Sequence, residues 1–122
     1  MIEIKTDEDG TIRYYKDGLL HREDGPAVEY LNGYKAWFFE GDYHRDDGPA
    51  IEYPNGTKFW VIHGEYHRLD GPAVEYPNGD KEWFFNDQLH RVDGPAIDYH
   101  IGLKEWWING KFIKSVNNSL QA

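Results

Sequence analysis

The chain is predicted to be all-β: an elongated, twisted antiparallel meander of stacked β-hairpins, built from about four and a half copies of one short unit. Three observations predict it. The phrase His-Arg-x-Asp-Gly-Pro-Ala begins at His21, His44, His67 and His90, so it recurs every 23 residues without an insertion. Each unit then carries two β-prone segments, Ala-Val-Glu-Tyr or close to it and a second containing Lys and Trp, each followed by turn-forming residues. Finally, 39% of the 122 residues are hydrophobic and 16% aromatic, and Gly, Asn and Pro fall periodically, which suits a folded repeat and not a disordered acidic chain.

In chain order, residues 1–20 read as a half-unit without its front, because Tyr14 and Asp17-Gly18 fall one period before Trp37 and Glu40-Gly41. Four full units follow at 21–43, 44–66, 67–89 and 90–112, all in a single repeat domain. Residues 113–122 are polar, match nothing in the unit, and are expected to form a short cap or a tail.

The first turn of the unit reads Pro54-Asn55-Gly56 and Pro77-Asn78-Gly79 in the second and third copies, and His100-Ile101-Gly102 in the fourth. A two-residue Asn-Gly turn would place the prolines where the ladder needs an N–H, and would set Glu75 against Glu82 and Asp98 against Glu105. A three-residue loop, a type I turn ending on a left-handed glycine, avoids both faults. It pairs Glu29 with Lys35, Glu52 with Lys58, Glu75 with Lys81 and Asp98 with Lys104. One step further it sets Ala27, Ala50, Ala73 and Ala96 against Trp37, Trp60, Trp83 and Trp106.

The second turn signal is Glu40-Gly41, His63-Gly64, Asn86-Asp87 and Asn109-Gly110, dipeptides suited to tight reversals with positive φ. These turns are expected to send the chain back along the sheet into the next phrase. Strands of four to six residues are expected, two or more per unit, so that each unit adds about 10 Å to the sheet.

Recurring His and Asp suggest a metal, but equivalent side chains in successive units would stand about 10 Å apart, too far to share an ion held at about 2 Å. The plainer expectation is that His and Arg cover the neighbouring strand while Asp bonds backbone N–H groups in its turn. His44-Arg45-Asp46 resembles a kinase catalytic loop only by coincidence, since Ile51 stands where the asparagine is needed and no glycine-rich nucleotide loop exists. With no cysteine, and serine only at Ser115 and Ser119, nucleophilic catalysis has no candidate. No catalytic, cofactor-binding or metal residues are assigned, and no cofactor is expected.

Trp37, Trp60, Trp83 and Trp106 form one row, expected to be core although such a ladder could stack sugars or bases. The net charge of −9 argues against direct binding to nucleic acid or to anionic lipid and favours a basic partner. MIEIKTDEDG has neither a basic start nor an apolar run, and no stretch approaches membrane-spanning length, so a cytoplasmic location is expected.

The unit length, the glycine and aromatic spacing and the phrases HREDGPA, HRDDGPA, HRLDGPA and HRVDGPA resemble MORN repeats, in the variant family marked by HRxDGPA. The resemblance covers about residues 10–112. It implies an open sheet of stacked hairpins and a binding or scaffolding role without enzymatic activity, in settings that include phage and giant viruses. The chain departs from the commoner MORN unit, which is richer in glycine and lacks the phrase, so lipid binding is not carried over.

Positions that repeat serve the scaffold, so specificity is expected where the units differ. These are Tyr34, Thr57, Asp80 and Leu103, then Ala36, Phe59, Glu82 and Glu105, on one face with Phe38, Val61, Phe84 and Trp107. The candidate interaction face is therefore Tyr34, Phe38, Phe59, Asp80, Glu82, Glu105 and Trp107, aromatic early and acidic later. The function expected is a non-enzymatic protein-binding module, of the kind a small acidic phage or viral inhibitor uses to occlude a host defence or nucleic-acid-binding protein. Two alternatives stand beside it: an assembly protein that forms homo-oligomers through its sheet edges, and a carbohydrate- or ligand-binding module using the aromatic ladder.

Overall fold

A computed structural model of the chain describes residues 2–118, and every element in it is a β-strand. The half-unit supplies β1 (Ile2–Thr6), β2 (Ile12–Lys16) and β3 (Leu19–Leu20). The first full unit supplies β4 (Val28–Glu29), β5 (Lys35–Ala36), β6 (Phe38–Phe39) and β7 (Asp42–Tyr43). The second repeats these as β8 (Ile51–Glu52), β9 (Lys58–Phe59), β10 (Val61–Ile62) and β11 (Glu65–Tyr66). The third gives β12 (Val74–Glu75), β13 (Lys81–Glu82), β14 (Phe84–Phe85) and β15 (Gln88–Leu89). The fourth gives β16 (Ile97–Asp98), β17 (Leu103–Ile108) and β18 (Lys111–Asn117).

The first hairpins line up into one open 12-stranded antiparallel sheet in the order β1-β2-β4-β5-β8-β9-β12-β13-β16-β17-β18, with β3 branching from β2. Their turns are the three-residue loops expected. Gly56 N–H donates to the Tyr53 carbonyl at 3.0 Å and Tyr53 N–H to the Thr57 carbonyl at 2.9 Å, and the same pair of bonds closes the turn before Leu103, without proline or asparagine. Asn32, Asn55 and Asn78 each accept the N–H two residues on, which fixes the loop from inside. The acid–lysine registers follow: Glu29 lies opposite Lys35, Glu52 opposite Lys58, Glu75 opposite Lys81 and Asp98 opposite Lys104.

Pairing between units extends this pattern across the sheet. Lys35 also faces Glu52, Lys58 faces Glu75 and Lys81 faces Asp98, so one face carries a row of alternating charge from Glu29 to Lys104. The next row, Val28, Ala36, Ile51, Phe59, Val74, Glu82, Ile97 and Glu105, points to the opposite face. In it the first strands contribute only aliphatic residues and the second strands contribute the residues that vary.

Two expectations fail at the next position. The interior ladders are two residues long, and the expected Ala–Trp pairs do not form. Instead Ala50 N–H bonds the Phe59 carbonyl at 2.8 Å, while Trp37 N–H bonds the Ala50 carbonyl at 2.7 Å, so each alanine joins two units and the regular ladder breaks there. Beyond that break the second hairpins β6–β7, β10–β11 and β14–β15 are separate two-stranded ribbons. Their dipeptides take positive φ at both positions, for example 48° at Glu40 and 89° at Gly41, as a tight mirror-image turn requires. Successive ribbons are bonded to one another, Gly64 N–H to the Tyr43 carbonyl at 2.9 Å and Arg45 N–H to the Val61 carbonyl at 3.1 Å.

The repeated phrase holds these layers in place. Arg45 and Arg68 sit over the rings of Trp37 and Trp60, one unit back, with Cζ 3.9 and 3.8 Å from the centroids. Arg68 Nε donates to Asp70 at 3.1 Å and its Nη1 to the Pro72 carbonyl at 3.0 Å. The aspartates therefore bond arginine, not the backbone N–H groups expected. The glycine leaves room for the guanidinium, because a Cβ at Gly71 would stand 2.7 Å from Arg68 Cζ. The histidine reaches forward: Nδ1 of His21, His44, His67 and His90 accepts the N–H of Glu40, His63, Asn86 and Asn109 in the following tight turn. Ala27, Ala50, Ala73 and Ala96 are wholly buried.

Both ends keep this pattern further than expected. Glu8-Asp9-Gly10 forms the same three-residue loop one period early, with Gly10 N–H on the Asp7 carbonyl at 3.0 Å and Thr11 N–H on the Asp9 side chain at 3.0 Å. Arg22 covers the Tyr14 ring at 4.0 Å. At the other end Lys114 stands one period after Arg91 and lies 4.6 Å from the centroid of Trp106, so the stretch judged to match nothing does retain the cation. β18 is a cap strand, and residues 119–122 of the expected tail lie outside the described residues.

The stack predicts a specific coupling. Gly71→Ala should cost about 1–3 kcal/mol through overpacking, and Arg68→Ala about 2 kcal/mol through its lost ring contact and hydrogen bonds. In the double variant the alanine methyl has no guanidinium to displace, so adding Gly71→Ala to Arg68→Ala should cost under about 0.5 kcal/mol. Urea unfolding of the four proteins measures it.

Candidate interaction surface

On the face opposite the charge row, aromatic rings touch from unit to unit without a gap. Tyr30 meets Tyr34 at 4.8 Å between centroids, Tyr34 meets Tyr53 at 5.1 Å, Tyr53 meets Phe59 at 5.9 Å and Phe59 meets Tyr76 at 6.2 Å. The ribbons add to it: Phe59 touches Tyr66 at 5.9 Å, and Tyr66 touches Phe84 at 5.2 Å. Tyr30, Tyr43, Tyr53, Tyr66 and Tyr76 remain 36–42% exposed despite these contacts. Their bodies are packed and their edges face solvent.

Carboxylates follow where the second strands change from aromatic to acidic. Tyr99 donates its hydroxyl to Glu82 at 2.5 Å, and Trp107 Nε1 donates to Glu105 at 2.9 Å. Asp80 accepts the His100 N–H at 2.9 Å and meets His100 Nδ1 at 2.7 Å. Burial raises the Tyr34, Tyr66, Tyr76 and Tyr99 phenols above their ordinary range, and for Tyr99 the hydrogen bond to Glu82 adds to it. These tyrosines are thus neutral donors at physiological pH.

Of the residues expected on this face, Tyr34 and Phe59 lie within the ring network, and Glu82 lies on the same row as Phe59 and accepts from Tyr99. Glu105 continues the row from Glu82 through Ile97, with Trp107 hydrogen-bonded to it. Phe38 is a correction: it is 9% exposed, packs with Ala27, Val28 and Ala36, and meets Tyr43 at 4.3 Å, so it supports the face from beneath. Ala36, Thr57 and Val61 differ between units but are also buried, so variation at those positions adjusts packing. The expected set omitted Tyr30, Tyr43, Tyr53, Tyr66, Tyr76 and Tyr99. Tyr30, Tyr53, Tyr76 and Tyr99 precede the first turn in all four full units, and a residue that repeats in this way carries no sequence signal that separates surface from scaffold.

The third position of the phrase also varies between units. Leu69 and Val92 stand there 81% and 80% exposed, where the earlier units carry Glu23 and Asp46. The tryptophan ladder is committed to the scaffold, since a guanidinium or ammonium covers a face of each ring. Among the described residues no three metal-ligating side chains converge, and no helix is long and apolar enough to cross a membrane. No protein-family model matches the chain, and no curated protein matches it either.

Asp80 gives a pH prediction. Its hydrogen bonds with the His100 side chain and then the His100 N–H hold its carboxyl below the ordinary range. Its charge therefore stabilises the fold above the unfolded value of about 3.9, and that contribution disappears as pH falls through the lower folded value. Asp80→Asn should be less stable than the parent at neutral pH, with the difference narrowing as pH falls below the unfolded value and through the lower folded one. Unfolding by urea across that range reads it out.

Proposed function

We propose that this chain is a non-enzymatic MORN-type repeat module that binds a basic protein partner through its tyrosine face. One observation carries the reading: an unbroken set of ring contacts from Tyr30 to Tyr76 in which Tyr30, Tyr53 and Tyr76 keep more than a third of their surface exposed while Tyr34 and Phe59 pack half-buried between them. Tyrosine gives a docking surface large contact area at low entropic cost, and its hydroxyl gives it polar specificity. Held in place by neighbouring rings, these side chains lose little further freedom on binding.

Charge supports a cationic partner. Lysine or arginine on the partner would find ring faces and, at the acidic end, Glu82 and Glu105, each with a second carboxylate oxygen beyond the one already bonded. The net charge of −9 would steer such a partner in and weaken the complex at high salt. A surface built to hold nucleic-acid phosphates has the required chemistry, so occlusion of a nucleic-acid-binding protein in the cytoplasm is the specific form proposed.

Capture from a lysate with the parent chain and three double variants tests the face. Tyr53→Ala with Tyr76→Ala, and Glu82→Lys with Glu105→Lys, should each weaken capture of the same partner by about tenfold or more. Leu69→Ser with Val92→Ser, on the opposite loops, should leave it unchanged. Equal capture by both face variants, or loss confined to the loop variant, would sink the proposal.

A further inference from the structure

A second surface, independent of the tyrosine face, lies at the first strand of the sheet. We infer that two copies of this chain pair through β1, antiparallel about a twofold axis at Ile4, into one continuous sheet. All five residues of β1 are exposed, including Ile2 at 44% and Ile4 at 59%, and among the described residues no strand covers its outer edge. An uncovered edge of this kind is a template for another strand.

The hydrogen-bond alternation selects the register. Asp7 N–H donates to the Thr11 carbonyl at 2.9 Å, so Asp7 faces β2, and with it by alternation Lys5 and Glu3, opposite Arg13 and Tyr15. The N–H and C=O groups of Ile2, Ile4 and Thr6 therefore point outward. A twofold-related copy can bond to two or more of them in three registers. Centring on Glu3 sets Glu3 against Glu3 of the second copy, and centring on Lys5 sets lysine against lysine. Centring on Ile4 sets Glu3 against Lys5 twice, Ile4 against Ile4, and Ile2 against Thr6 twice. Only this last register has no like-charge pair, and it uses all three outward-facing residues.

Strand direction excludes the head-to-tail alternative from an antiparallel sheet. Eleven strands lie on the path from β1 to β18, each antiparallel to the next, so the two end strands run the same way. Stacking copies in the same sense would pair them parallel. Joining two β1 edges keeps the alternation and closes the assembly at two. The β18 edge, in contrast, carries Lys111 and Lys114 with no acid in the strand, and a bulge shifts its register between Trp106 and Trp107. Lysines and bulges discourage edge pairing.

Sedimentation of the intact chain from micromolar to millimolar concentration should show a reversible monomer–dimer equilibrium. Glu3→Lys and Lys5→Glu each create two like-charge pairs and should weaken the dimer by about tenfold or more, whereas the double swap should restore it. Hydrogen exchange in the parent should slow at Ile2, Ile4 and Thr6 as concentration rises, which reads the interface without any substitution. A strict monomer, a dimer indifferent to both single swaps, or growth past the dimer would each overturn the inference.

Discussion

Each repeat is held to the previous one by a guanidinium lying between a glycine and an aromatic ring. The ring is at 3.8–4.0 Å from Cζ in four successive copies, and a glycine Cβ would come within 2.6–2.9 Å of the same atom. A ring contact of this kind is worth about 0.5–2 kcal/mol, depending on how far it is desolvated. The arginine side chains are 19–24% exposed, between the two limits. Because the arginine comes from one unit and the ring from the unit before, each copy of the contact is an interface term between neighbours, which is how stability accumulates in a repeat protein. Its geometry also explains the fixed spacing. An inserted residue between ring and arginine would break the stack and misplace the histidine that accepts the N–H of the next tight turn.

A thin sheet of two-residue ladders needs such contacts because it encloses little. The fully buried apolar residues are mainly alanine and valine, joined by Phe38, and the larger rings are covered by cations or by one another. The two faces then separate in chemistry. One is occupied by alternating acids and lysines, in which Glu52, Glu75 and Asp98 are each flanked by lysines from their own unit and a neighbour, which satisfies charge locally. The other carries aliphatic residues from every first strand, and it is the second strand that changes from Ala36 and Phe59 to Glu82 and Glu105. A change there alters the surface without disturbing the frame.

Much of the frame was legible because proline and like-charge repulsion eliminate one of two turns. That choice fixes which side chains share a face, and so Tyr34, Phe59, Glu82 and Glu105 were correctly placed together. The limits were equally physical. Pattern alone extends a ladder until a turn residue stops it, but here Ala50 bonds strands on both sides and ends it earlier, so the Ala–Trp pairs were wrong and the second hairpins became separate ribbons. Lys114 was missed because one cation replacing another leaves no phrase to match. A shared face does not say how deeply a side chain lies within it: Phe38 is buried because Ala27, Val28, Ala36 and Tyr43 pack around it.

The tyrosines qualify the idea that repetition marks scaffold and difference marks function. Tyr30, Tyr53, Tyr76 and Tyr99 occupy the same position before the same turn, and each helps hold the loop through its N–H and carbonyl. That structural duty is performed by the backbone, which leaves the ring free for another. Tyr30, Tyr53 and Tyr76 each pack against an aromatic residue of their own or the preceding unit, which restrains the ring while more than a third of the residue stays exposed. A repeated residue can therefore carry both duties at once, and repetition itself makes the surface continuous. The positions that vary, Glu82 and Glu105 above all, then set charge along a surface whose shape the repeat has already determined.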